Sequence, residues 1–151
     1  MANKFELVGW FIAAATLIVV TTASTYTVGG ELGWTIPPLG DIAYRTWAAR
    51  EDFEIGDTII FNWNGTHNVV QVTKQNYDDC TSTNALSPVQ TTSPSTFTVN
   101  STESYFICTV GNHCSMGQKV TISTGASAPT IKTGALMAIL PALLFSLLCL
   151  M

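Results

Sequence analysis

Along the middle of this chain apolar residues return at every second position, in short runs separated by Gly, Pro, Asn and Ser. Ile59, Phe61 and Trp63 alternate with Ile60 and Asn62, and Val70 and Val72 flank Gln71. Phe97 and Val99 alternate with Thr96 and Thr98, and Val120 and Ile122 alternate with Lys119, Thr121 and Ser123. A period of two gives each strand one apolar face, which must be covered by another sheet. Tyr105-Phe106-Ile107-Cys108 reads as a further short strand. Only Asp41 to Ala49 looks helical, with Asp41 as its cap and Ile42, Tyr44 or Arg45, and Ala48 near helical spacing. Thr81 to Pro94, rich in Ser, Thr and Pro, reads as a loop. The expected fold is all-β, an antiparallel sandwich or barrel.

Hydrophobicity beyond that pattern is concentrated at the two ends, where 16 of the first 23 residues and 15 of the last 17 are apolar. Lys4 precedes an uncharged apolar run from Leu7 to Val20, and the small residues Thr21-Thr22-Ala23-Ser24 follow. Charged, apolar and small-residue regions in that order are those of a secretory leader, with cleavage after Ala23 or Ser24. The run is shorter than the roughly 20 residues of a membrane span. Ala135 to Met151 carries no charge, and upstream of it stand Ser123-Thr124-Gly125-Ala126-Ser127 and a polar stretch with Lys132. Small residues, polar spacer and apolar tail are the order of a glycolipid (GPI) anchor signal, whose tail is removed; the rival reading is a true membrane anchor.

The expected organisation is therefore a leader over 1–23, a domain over 24–123, a linker with the attachment region over 124–134, and a removed tail over 135–151. That route ends on the extracellular face of the plasma membrane, held by the lipid anchor, or in the apoplast. Asn64-Gly65-Thr66 and Asn100-Ser101-Thr102 are glycosylation acceptors consistent with secretion, which makes Asn64 and Asn100 the expected glycan sites.

Only 11% of the residues are charged and the net charge is −4. Once the leader is set aside the basic residues are Arg45, Arg50, Lys74, Lys119 and Lys132, too few and too scattered for nucleic-acid binding. A domain of about 100 residues buries a real core but gains from a disulfide or a metal. Trimming both ends leaves three cysteines (Cys80, Cys108, Cys114), two histidines (His67, His113) and one methionine (Met116). An odd cysteine in an oxidising compartment calls for an intermolecular bridge, a reactive thiol or a metal-bound thiolate.

Cys108 and His113 share one tight loop after a strand, and His67 supplies a second imidazole from another strand edge. Two imidazoles, one thiolate and one weak axial donor favour copper and let it pass between Cu(I) and Cu(II). A structural zinc site of His67, Cys108, His113 and Cys114 also has an allowed ligand count, and would leave Cys80 unpaired.

Several colinear segments share one resemblance. They run from Tyr26-Thr27-Val28-Gly29-Gly30, Gly33-Trp34 and Tyr44-Arg45-Thr46-Trp47-Ala48 through Phe53-Glu54-Ile55-Gly56-Asp57, Phe61-Asn62-Trp63 and His67-Asn68-Val69. Tyr77-Asp78-Asp79-Cys80, Tyr105-Phe106-Ile107-Cys108 and His113-Cys114-Ser115-Met116-Gly117-Gln118-Lys119-Val120 complete the series. Over residues 25 to 123 the chain resembles the phytocyanins, plant blue copper proteins, and within them the stellacyanin-like and mavicyanin-like branch.

The resemblance implies a cupredoxin-like Greek-key β-sandwich or barrel with one or two short helices. It implies that His67, Cys108 and His113 bind one type 1 copper ion and that Cys80 and Cys114 form the disulfide, whereas any pairing of Cys108 would remove the thiolate. Met116 and Gln118 are both candidate axial donors. In phytocyanins that donor stands five positions after the loop histidine, which selects Gln118 and leaves Met116 as the alternative. An amide oxygen favours Cu(II) more than a thioether does, so a low potential is expected. Asn68 is expected to hold the loop carrying Cys108. Trp34, Trp47, Phe61 and Tyr105 read as core residues. Glu103-Ser104 replaces the Gly that many members have before the Tyr-Phe strand, so a turn there must be built differently.

The function so implied is one-electron transfer, without enzyme activity: four protein ligands leave no open position for a substrate. Electrons would pass through an exposed edge of His113 to small redox molecules or to apoplastic redox and wall proteins, the chain acting as a monomer. The rival reading is a copper-independent adhesion or signalling module of the cell surface and wall, of the early nodulin-like type, whose members lack the ligands that this chain keeps.

Overall fold

The computed structural model of the protein describes residues 22–125. Of the expected leader over 1–23 the residues up to 21, of the expected linker over 124–134 those from 126, and all of the expected tail over 135–151 lie outside the described residues. In chain order the elements are β1 (Thr25–Thr27), a short 3-10 turn (Gly30–Leu32), α1 (Ile42–Ala48), β2 (Thr58–Phe61), β3 (Val70–Val72), α2 (Lys74–Asp79), β4 (Ser95–Thr98), β5 (Glu103–Ile107) and β6 (Lys119–Ser123). One sheet has the order β1-β2-β4 and the other β3-β5-β6.

The period-two pattern becomes burial. Val120 and Ile122 of β6 are buried between half-buried neighbours, and Val70 and Val72 are buried around Gln71. Aromatic rings join the two sheets: Phe106 of β5 packs with its centroid 5.0 Å from Phe61 of β2 and 4.9 Å from Phe97 of β4. Trp34 lies edge-on to Phe61 at 4.9 Å. Each such large side chain taken fully out of water stabilises the fold by about 1.5–3 kcal/mol. Trp34 and Phe61 are core residues as expected, while Trp47 and Tyr105 are only partly buried against it.

The structure departs from the pattern in several places. β1 and β2 pair in parallel, not antiparallel, because the chain between them crosses over through α1 instead of turning back directly. Trp63 and Val99 fall beyond the ends of their strands although both stay buried. Asp41 makes no side-chain capping bond; its carboxylate meets the exposed Arg45 at 3.5 Å. Ile42 is 51% exposed. The inward stripe of α1 is Tyr44, Trp47 and Ala48, at i, i+3 and i+4, which turns Ile42 to the opposite side. α2 was not expected from its polar sequence; Thr73 caps it, its Oγ1 accepting from Asn76 N at 3.2 Å, and Tyr77 is its buried residue. Glu103-Ser104 begins β5, paired with Ser123 and Ile122, so no turn falls there.

Register decides where the site forms. Val70 lies opposite Ile107, and Ile107 opposite Lys119. His67 just before β3, Cys108 just after β5 and Gln118 just before β6 therefore emerge at the same end of one sheet.

Candidate metal centre

The connection from β5 to β6 contributes Cys108, His113 and Gln118, and its own backbone braces it. Cys108 N donates to Gln118 O at 3.1 Å, His113 N to Val110 O at 3.0 Å, and Gln118 N to His113 O at 2.9 Å. The Cys80–Cys114 disulfide, with Cα atoms 5.7 Å apart, ties this loop to the end of α2. Closing its loop of 34 residues stabilises the fold by about 4 kcal/mol on the loop-entropy argument. Cys108 is the free cysteine among the described residues, and it is buried. With Cys114 in the bridge, the zinc set that needed its thiolate is excluded.

The loop's approach to α1 depends on Gly117. Its φ is +100°, and a Cβ there would overlap the backbone of Gly40 and Asp41. Only glycine allows the ligand loop to rest against the head of the helix.

His67, Cys108 and His113 present donor atoms that all lie within 4.8 Å of one another. His67 Nδ1 stands 3.2 Å from His113 Nδ1 and 3.1 Å from Gln118 Oε1, and Cys108 Sγ stands 3.5 Å from His113 Nδ1. Gln118 is fully buried, and its Nε2 has no hydrogen-bond partner. Met116, two residues before it, is 45% exposed.

These distances fit a metal. Two nitrogens bound at about 2.0 Å in tetrahedral array lie roughly 3.3 Å apart, and a nitrogen and a thiolate sulfur about 3.6 Å. The donor chemistry fits as well. Two imidazole nitrogens, a cysteine sulfur and an amide oxygen converge on one point, a donor set suited to copper. Burial holds His67 below the usual histidine pKa, the Gln118 contact opposes this and His113 adds to it. The neutral ring that results is the form that binds metal.

Around the donors, Asn68 does what its position after His67 suggested. Its Oδ1 accepts from Thr109 N at 2.7 Å and its Nδ2 donates to Thr109 Oγ1 at 2.8 Å, which pins the residue next to Cys108. Its own carbonyl accepts from Trp34 Nε1 at 2.9 Å, so the clamp is anchored to the core. Sequence reasoning assigned no role to Gly117 or Thr109; a glycine directly before the axial candidate was the available signal for the first. Asn64 and Asn100 are both exposed.

The family model of the plastocyanin-like domain matches residues 34–118. The chain is 37% identical to stellacyanin of Toxicodendron vernicifluum over 102 residues, 66% of this chain and 95% of that protein. It is 38% identical to the cucumber peeling cupredoxin of Cucumis sativus over 112 residues, 72% of this chain and 81% of that protein. The solved structure of cucumber stellacyanin with Cu2+ superposes on it with a TM-score of 0.63 at 37% identity, covering 72% of this chain and 100% of that one.

Proposed function

We propose, on the premise that this chain belongs to the phytocyanin family of plastocyanin-like blue copper proteins, that it carries single electrons at the outer face of the plasma membrane. The observation that carries this reading is the convergence of His67, Cys108 and His113, with the one free thiol of the described residues at its centre. The cofactor is one copper ion. His67, Cys108 and His113 would hold it, and Gln118 Oε1 would supply the fourth, weak donor. When bound there, copper supplies a one-electron couple between Cu(II) and Cu(I).

The chain's own residues do the rest. The disulfide and the Asn68 clamp keep the donors in place through both oxidation states, which keeps rearrangement on electron transfer small. Buried Cys108 and Gln118 keep water from two of the donors. Half-buried His113, between exposed Asn112 and the buried Cys114, is the exit toward a partner. A set of four protein donors offers no place for a substrate, which argues for a carrier and against an enzyme. The partner is a small redox molecule or a redox or wall protein of the apoplast, and the anchor is the glycolipid signalled after residue 123.

Adding Cu(II) to the secreted protein tests the reading. An intense blue thiolate-to-copper absorption is expected, and it is lost in Cys108→Ser. A folded wild-type protein that binds Cu(II) and stays colourless overturns the proposal.

A further inference from the structure

Asp57 is 2% exposed, just before β2. Its Oδ2 accepts from Glu54 N and its Oδ1 from Ser24 N, each at 2.7 Å. A carboxylate so buried is costly unless a cation answers it. The ion pairs among the described residues are Arg45 with Asp41 and Lys74 with Asp78, and neither involves Asp57. Asp57 thus keeps two backbone donors and no charged partner.

One of those two donors belongs to the residue at the leader boundary. Thr22 and Ala23 are exposed, whereas Ser24 is held at the start of β1, its carbonyl accepting from Thr58 N at 2.8 Å. We propose that processing cuts the Ala23–Ser24 bond and that the new α-ammonium of Ser24 is the counter-ion of Asp57. The inference rests on reading residues 1–23 as a secretory leader. The leader peptidase adds one water across the peptide bond, leaving a carboxylate on Ala23 and an amine on Ser24 that takes up a proton at neutral pH. A neutral N–H donor on Asp57 Oδ1 becomes a charged one, and charge-assisted hydrogen bonds are roughly twice as strong.

The same contact chooses between the two cleavage points that the small residues allow. Cutting after Ser24 would take away both the donor on Asp57 Oδ1 and the acceptor of Thr58 N. Cutting before it keeps both and adds the missing charge. Processing then completes the fold, because the ion pair locks the open end of the parallel β1–β2 pair.

The test uses the full chain secreted from eukaryotic cells. Mass spectrometry of the terminal peptide should begin at Ser24. Acetic anhydride at near-neutral pH should then label the Ser24 amine at least about tenfold more slowly in the native protein than in urea, as expected for an amine held in a charged hydrogen bond. Asp57→Asn should remove most of that protection. A chain beginning at Thr25 or later, or equal labelling of native and unfolded wild type, overturns the ion pair and leaves the leader reading intact. A secreted chain that retains residues 1–23 overturns the leader reading itself. Comparing native with unfolded wild type needs no variant, so poor folding of Asp57→Asn does not blunt the result.

Discussion

Gln118 and Met116 stand two residues apart in one loop, and their burial separates them: the first is fully enclosed against His67, the second 45% exposed. If the Gln118 oxygen is the axial donor, Gln118→Met exchanges a hard donor for a soft one and favours Cu(I). Its reduction potential, followed by spectroelectrochemical titration, should rise by more than about 59 mV, a tenfold change for a one-electron couple. Met116→Leu should leave the potential nearly unchanged, and the reverse pattern would reassign the donor. Asn68→Ala removes both bonds to the exposed Thr109 and leaves Thr109 N to water, a loss of about 0.5–1.5 kcal/mol in urea unfolding. At this scale much of the site was legible. Trimming the ends left one thiol too many, and copper chemistry accounts for it together with the only two histidines. Asp57 was not legible, because its partner Ser24 lies 33 positions away and a lone aspartate after glycine announces only a turn.

Between elements the decisive contact is that of the ligand loop with the head of α1. Gly117 and Gly56 share a φ of +100°, but only Gly117 has backbone where a Cβ would go. Alanine at either position bears the left-handed penalty of about 1–2 kcal/mol. Gly117→Ala should cost clearly more than Gly56→Ala in thermal unfolding, and it alone should shift the blue absorption by displacing Gln118. Equal losses with an unchanged spectrum would show that the loop yields without moving the site. Elements were legible in proportion to their periodicity. β3 and β6 follow their alternation residue for residue. α2 has six residues and one buried side chain, too few for a helical stripe to emerge, so its cap at Thr73 was the only local sign. β1 is a three-residue strand with the pattern Thr-Tyr-Thr, held by its parallel partner and not by a face of its own. The misplaced Ile42 has the same origin: in seven residues two different stripes fit equally well, and the sheet selects the one containing Tyr44.

Across the whole molecule Tyr44 joins α1 to the segment before the helix, within the core cluster that also holds Val120 and Ile122 of β6. Its ring is fully buried 5.1 Å from Trp34, and its hydroxyl accepts from Thr35 N at 2.8 Å while facing the carbonyls of Gly33 and Thr35 at 2.9 and 2.8 Å. Burial pushes its pKa from 10.0 up to about 12; the Thr35 backbone opposes the rise and Cys108 adds to it. A phenol raised in the folded state ionises first in the unfolded chain. Its contribution is therefore complete below pH 10 and is lost as pH climbs through 12, the native state weakening across that window. The full loss for a shift of this size is about 2–3 kcal/mol. Tyr26, Tyr77 and Tyr105 are raised as well, so the wild-type curve as a whole should fall through the same alkaline range. Tyr44→Phe isolates one residue from that sum. At neutral pH it should be less stable than wild type by about 1–3 kcal/mol, because Thr35 N loses its acceptor. Between about pH 10 and about pH 12 that gap should narrow, since the variant has no buried phenol to ionise on unfolding. Urea unfolding of the metal-free proteins across the range measures the gap directly. A constant gap would mean that the Tyr44 hydroxyl ionises as readily inside the protein as outside it, and that the junction of helix and sheets is open to water.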